Sequence, residues 1–153
     1  MIAAAVLFAT AARASLGVWG GWGAFRDDEQ CFAVATPAAT GARPAWRPFA
    51  TVASWPGRGR REVLFVRLSA ARDEGEPVTL SVGERRFRLT GRGSAVWAPD
   101  PSTDRAIAAA LRGERSMSVS AVSTQGRPFA DTYILAGAAT AIDAATLGCL
   151  GAR

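Results

Sequence analysis

Between residues 78 and 89 the chain reads VTLSVGERRFRL, and apolar and polar residues alternate with a period of two. Val78, Leu80 and Val82 fall on one side and Thr79 and Ser81 on the other. After Gly83-Glu84 the pattern resumes, with Phe87 and Leu89 opposed to Arg86 and Arg88. A half-buried strand puts alternate side chains on opposite faces, and a two-residue link with Gly first suits a hairpin turn. A hairpin with one apolar face needs a second layer to cover it, so the rest of the chain must supply that layer.

Much of it carries the same period. GVWGGWGAF and CFAVAT read as two opening strands, separated by the acidic turn Asp27-Asp28-Glu29. TPAATGARPAWRP is a surface loop. FATVASW and EVLFVRL form a hairpin around PGRGR, SAARDEGEP is a polar loop and SAVWA is a short strand. In SMSVSAV, Met117, Val119 and Ala121 face away from Ser116, Ser118 and Ser120. Two segments break the pattern. PDPSTDRAIAAALRGE reads as a helix capped by Ser102 or Thr103, with Asp104 at the positive end of its dipole and Gly113 at its stop. GAATAIDAATLGC, after the strand ADTYILA, reads as a second helix through Ile142 and Leu147. The expected fold is mainly β: an antiparallel, sandwich-like domain of two packed sheets with two short α-helices, spanning residues 15–153.

Composition narrows the chemistry. The 153 residues contain no histidine, which excludes Ser-His-Asp and Cys-His catalysis and the usual His-rich zinc sites within the chain. All 18 cationic side chains are arginine. Guanidinium groups grip carboxylates and phosphates through two parallel bonds, although codon bias in a GC-rich genome also yields this usage. The net charge of +5 favours acidic surfaces.

MIAAAVLFATAARAS is an apolar run closed by Ala12-Arg13-Ala14, the A-x-A pattern of a secretory leader. The expected leader is residues 1–14, with Ser15 first in the mature chain, although no cation precedes the apolar run. That run is shorter than the roughly 20 residues of a membrane-spanning helix. Cys31 and Cys149 are the only cysteines and lack metal-ligand spacing. In an oxidising compartment such a pair is expected to form a disulfide, worth about 4.7 kcal/mol for a loop of about a hundred residues. The alternative is two buried free thiols.

The order of these segments resembles the bacterial invasion-associated locus B family. The matching marks are Trp22 leading toward Cys31, the hairpin PVTLSVGERRFRL, Trp97-Ala98, the helix IAAALRGERSMSV with Gly113, and the ending DTYILAGAATAIDAATLGC. In that ending Asp131, Tyr133, Leu135 and Gly137 precede the last helix. The resemblance implies an exported, periplasmic or envelope-associated β-rich domain with no agreed enzymatic activity. Two departures stand out: Arg26 occupies a position where members usually carry cysteine, and Ser94-Ala95-Val96-Trp97 lacks their central cysteine pair.

Two arginine groups are the candidate binding residues. Arg58, Arg60 and Arg61 sit in a Gly-rich turn, where backbone N–H groups can assist anion binding. Arg85, Arg86 and Arg88, with Arg92, lie on the second hairpin, and the two turns would form one basic patch if they converge. A solvated strand face that discourages edge pairing is the competing explanation. The expected partner is an envelope or extracellular molecule bearing anionic groups. Nucleic acid is not expected, because no stacking aromatics interleave with these arginines. No cofactor or metal is expected, and the sequence assigns no oligomeric state. Trp22 and Trp97 are expected in the core, with Trp46 and Trp55 the better candidates for exposed contacts. The competing function is a carboxylate-dependent enzyme acting on glycans, which needs two of Asp27, Asp100, Asp104 and Asp131 about 5 to 10 Å apart in one cleft.

Overall fold

The computed structural model describes residues 13–150. Its strands are β1 (Ala14–Trp19), β2 (Trp22–Arg26), β3 (Cys31–Ala35), β4 (Phe49–Trp55), β5 (Arg60–Arg67), β6 (Val78–Val82), β7 (Arg85–Arg92), β8 (Ala95–Trp97), β9 (Ser116–Val122) and β10 (Pro128–Ile134). The helices are α1 (Pro101–Gly113) and α2 (Ala138–Leu150). The class is mainly antiparallel β with two short helices, as expected. Of the expected leader, residues 1–12 lie outside the described residues. Ala14 is the first residue of β1 and pairs with Arg26.

The strands form one continuous sheet in the order β1-β2-β3-β4-β5-β8-β7-β6-β9-β10, rather than two separate sheets. β7 is shared between its halves. Arg85 to Leu89 pair with β6, whereas Thr90 to Arg92 pair with β8. The sheet curls far enough for its end to meet the chain again: Ala39, beyond β3, bridges to Thr132 of β10, and Trp22 Nε1 donates to the Ile134 carbonyl at 2.9 Å. The opening segment also differs from expectation. GVWGGWGAF is a hairpin, not one strand, because Gly20-Gly21 turns the chain between β1 and β2.

Alternation decides which side chains enter the core. Trp22, Ala24, Cys31, Ala33, Ala35, Ala50, Val52, Leu64 and Val66 share the inner face of β2–β5 and are buried. Four of these are alanines, and α2 presents Ala138, Ala141 and Ala145 to them, so the helix packs closely across β1–β4. Gly137 sets the start of that helix: its φ is 88°, and a Cβ there would collide with the Trp19 carbonyl. α1 packs against β5 and reaches β6, β7 and α2. Its cap is Asp100, not Ser102 or Thr103: the Asp100 carboxylate accepts the Thr103 N–H at 2.7 Å, with Pro101 in the first turn.

Candidate functional site

Cys31 and Cys149 form a disulfide, with Cα atoms 5.7 Å apart and a sequence separation of 118. It fastens the first residue of β3 to the last turn of α2. A second clasp lies beside it. Arg112 of α1 donates to both carboxylate oxygens of Glu62 (2.6 and 3.2 Å) and to Asp143 of α2 at 2.8 Å, while Thr146 Oγ1 donates to Glu62 at 3.0 Å. Burial raises the pKa of Glu62, but the hydrogen bond and charge from Arg112 outweigh it and hold this carboxyl below its ordinary range.

Glu62 owes its position to a bulge in β5. Ala53 pairs with Val63 and Trp55 with Arg60, so Arg61 and Glu62 together oppose Ser54, whose Oγ accepts the Glu62 N–H at 2.9 Å. Glu62 is also the one non-glycine residue with positive φ (50°) among the described residues. Bulges re-aim side chains, and such backbone strain persists only where surrounding contacts hold it. Here the bulge turns Glu62 toward Arg112 and brings Arg60 and Arg61 to the rim of a cavity of about 370 Å³. The opposite rim is the start of α1, with Pro101, Asp104 and Arg105. Asp104 is buried and accepts the Leu64 N–H at 2.9 Å; burial pushes its carboxyl above the ordinary range.

Arg60 and Arg61 thus line one cavity, together with Arg105, which the sequence reading missed. Its signal was present: Arg105 follows Asp104, which faces β5 from the first turn of α1. Arg58 stands outside the cavity in a single 3-10 turn, 4.0 Å from Glu29, and both side chains are exposed. Arg85, Arg86 and Arg88 are exposed on β7, with Arg85 lying over the Phe87 ring at 4.9 Å. No hydrogen bond or ion pair joins the two groups among the described residues, and α1 packs against both β5 and β7.

The four candidate aspartates sit on three separate segments, with Asp100 and Asp104 neighbours at the start of α1. Asp27 accepts the N–H groups of Glu29 and Gln30 within its own turn. Asp100 caps α1 one turn before Asp104. Asp131 is fully buried, where it accepts the N–H groups of Gly41 and Ser69 and the Ser69 hydroxyl, fixing the loop after β3. Each carboxylate is committed to a backbone anchor.

The outer face of β2–β5 was not foreseen at all. Phe25, Phe32, Val34, Phe49, Phe65 and Trp55 line a groove of about 650 Å³ on the side away from α2. Phe25 stacks on Phe32 with centroids 5.7 Å apart, and Phe49 lies 5.9 Å from Phe65. Gly23 leaves room for this packing, since a Cβ there would approach the Phe25 ring to 2.8 Å. Trp97 continues this face at 37% exposure instead of filling the core, whereas Trp22 is wholly buried as expected. Trp46 and Trp55 are half-buried; Trp46 Nε1 donates to the Leu68 carbonyl at 2.8 Å.

These features define a disulfide-clasped, curled antiparallel β domain with both helices anchored to its first half. No helix among the described residues is long and apolar enough to cross a membrane. The chain belongs to the invasion-associated locus B family: the family's model, "Invasion associated locus B (IalB) protein", matches residues 23–146. No curated protein and no solved structure matches the chain.

Proposed function

We propose that this chain is an exported, non-catalytic binding domain, periplasmic or secreted, that engages an anionic group of an envelope or extracellular partner. One observation carries the reading. Three exposed arginines from two elements, Arg60, Arg61 and Arg105, rim one cavity, and none of them forms an ion pair within the described residues. Charge from neighbouring acids reaches them without direct pairing, Asp104 beside Arg60, Glu62 beside Arg61 and Asp100 beside Arg105. Glu62 is engaged by Arg112, and Asp104 is held in a setting that disfavours its charge. Family membership and the disulfide support the exported location, with residues 1–14 as the leader. Arg58, Arg85, Arg86 and Arg88 then serve as surrounding positive charge that attracts an acidic partner without contacting it.

Co-sedimentation with washed envelope fractions tests this. The wild-type chain is expected to sediment at low salt and to be released as salt rises. The variant R60Q/R61Q/R105Q should lose about tenfold in retention, the size of one or two lost charged hydrogen bonds. Equal retention of wild type and variant would overturn the assignment.

A further inference from the structure

The groove on the outer face has a chemical polarity along its length. Strand register sorts the side chains of this face into three rows, the groove itself being lined from β2 to β5 and the rows continuing past it onto β8 and β7. The first is Phe25–Phe32–Ala53–Val63 across β2, β3, β4 and β5. The second is Val34–Thr51–Phe65–Trp97–Thr90, reaching β8 and β7. The third is Phe49–Arg67–Ala95–Arg92. Directly paired residues project to the same face, so Arg67 and Arg92 flank the small side chain of Ala95 on adjoining strands. Two strand spacings put their Cα atoms about 10 Å apart, a gap that two arginine side chains can close around one anionic group. Arg67 lies over the Trp46 ring at 5.0 Å, which fixes its plane and leaves its N–H edges free. Neither arginine forms an ion pair among the described residues.

The other end is different. It abuts the acidic turn Asp27-Asp28-Glu29 through Gln30; of the cations near it, Arg13, over Phe32 at 5.1 Å, leaves with the proposed leader, and Arg60 pairs with Trp55. Between the two ends the lining is almost wholly aromatic and aliphatic, with Thr51 and Gln30 its uncharged polar side chains. Four of its rings are phenylalanine, which has no hydrogen-bonding handle for a sugar hydroxyl. A largely apolar cleft of about 650 Å³ with a few placed polar groups has the size and lining of a small-molecule site.

We infer that this groove binds the acyl chain of a single anionic lipid, with its head group held by Arg67 and Arg92 of the third row. The inference rests on the proposed role as an envelope-facing binding domain for where such a lipid is met, and it uses a site separate from Arg60, Arg61 and Arg105.

Tryptophan fluorescence and amide chemical-shift titrations with dodecyl phosphate, kept below its micelle concentration, test it. Monomer binding with a dissociation constant on the order of 0.1 mM is expected for a ligand of this size. Shifts should concentrate at Val34, Thr51, Phe65 and Trp97. R67Q/R92Q should weaken dodecyl phosphate about tenfold and leave uncharged dodecyl maltoside unchanged. T51R, which fills the groove without touching the inner core, should abolish both; melting temperatures matching wild type establish that both variants fold. Four results would overturn the inference: inorganic phosphate binding as tightly as dodecyl phosphate, binding only to phosphatidylglycerol vesicles, self-association that protects the same residues, or R67Q/R92Q behaving as wild type. Failure here with envelope retention intact sinks the groove alone. Loss of retention with amphiphile binding intact sinks the arginine cavity alone.

Discussion

Replacing Cys31 and Cys149 by alanine isolates what the clasp contributes. The bridge closes a loop of 118 residues, most of the described chain, so the loop-entropy relation gives about 5 kcal/mol at 25 °C. Total stability for a domain of this kind is about 5–15 kcal/mol, so the change is a large share of it. For about 140 ordered residues, each kcal/mol moves the melting temperature by about 3–4 °C, which predicts a fall of roughly 15–20 °C. Urea unfolding of C31A/C149A, and of wild type with and without reductant, is the assay. Reduced wild type keeps the sulfur atoms and their packing, so it separates loop closure from the small cavities that alanine leaves. Because the cross-link compacts the unfolded chain, the m-value should rise when it is opened. A loss below about 1 kcal/mol with an unchanged m-value would refute the reasoning, and would mean that the unfolded chain already holds its two ends together.

Two carboxyls should titrate stability in opposite directions. Glu62 has a folded pKa below its unfolded value, so its stabilisation is full above about pH 4.3 and is lost as pH falls through the folded value. E62Q should cost about 1–3 kcal/mol at neutral pH, with the gap closing in acid, as read by urea unfolding at both pH values. Asp104 has a raised folded pKa, so its ionised form is disfavoured in the fold and wild type gains stability as pH falls through that value. D104N keeps an acceptor for the Leu64 N–H and should match or exceed wild type at neutral pH, the advantage vanishing in acid. D131A strips the partner from two N–H groups and a hydroxyl at a fully buried site, and should cost about 3 kcal/mol or more. Limited proteolysis should then cut first in the loop of residues 36–48. G137A puts a side chain at positive φ and against the Trp19 carbonyl, and should lower stability by about 2 kcal/mol or more in the same assay.

What the sequence disclosed depended on whether a residue's neighbours were local. The β6–β7 hairpin was legible because its alternation is clean and its turn is two residues long; register and facing follow from those facts alone. The disulfide was legible because two cysteines allow a single pairing. The continuity of the sheet was not, because it depends on β7 dividing its ladder between β6 and β8, and nothing in RRFRLTGR marks where the partner changes. The cap of α1 went to Asp100 because Pro101 is pre-set for the first helical turn, which moves the start earlier than Ser102. The cavity arginines were half legible. Arg60 and Arg61 stood out in their turn, but Arg105 joins them only through a bulge and a helix docked from some forty positions away. The aromatic groove left an ambiguous trace. In FATVASW and EVLFVRL both parities carry apolar side chains, with Phe49 and Phe65 on one face and Val52, Leu64 and Val66 on the other, so period two could not say that a bare face also held rings.

The clasp and the groove meet in β3, and this permits a sharper test of both. Cys31 points inward to α2 and Phe32, the next residue, points outward into the groove. If the disulfide stabilises through the unfolded chain, as the loop-entropy account holds, the native positions of Phe32 and Val34 do not depend on it. Reduced protein well below its melting temperature should then bind dodecyl phosphate as tightly as oxidised protein, although it is several kcal/mol less stable. If instead the bridge holds β3 against α2 in the native state, opening it lets β3 shift and the first two rows lose their alignment with Phe65 and Trp97. Affinity would then fall along with stability. Titrating both forms at one low temperature distinguishes these mechanisms. Equal affinities are the expected outcome, because the ladders from β2 through β5 and the packing of Trp22 and the facing alanines fix β3 without the sulfur atoms. A severalfold weaker groove in the reduced protein would show that these ladders and this packing do not suffice.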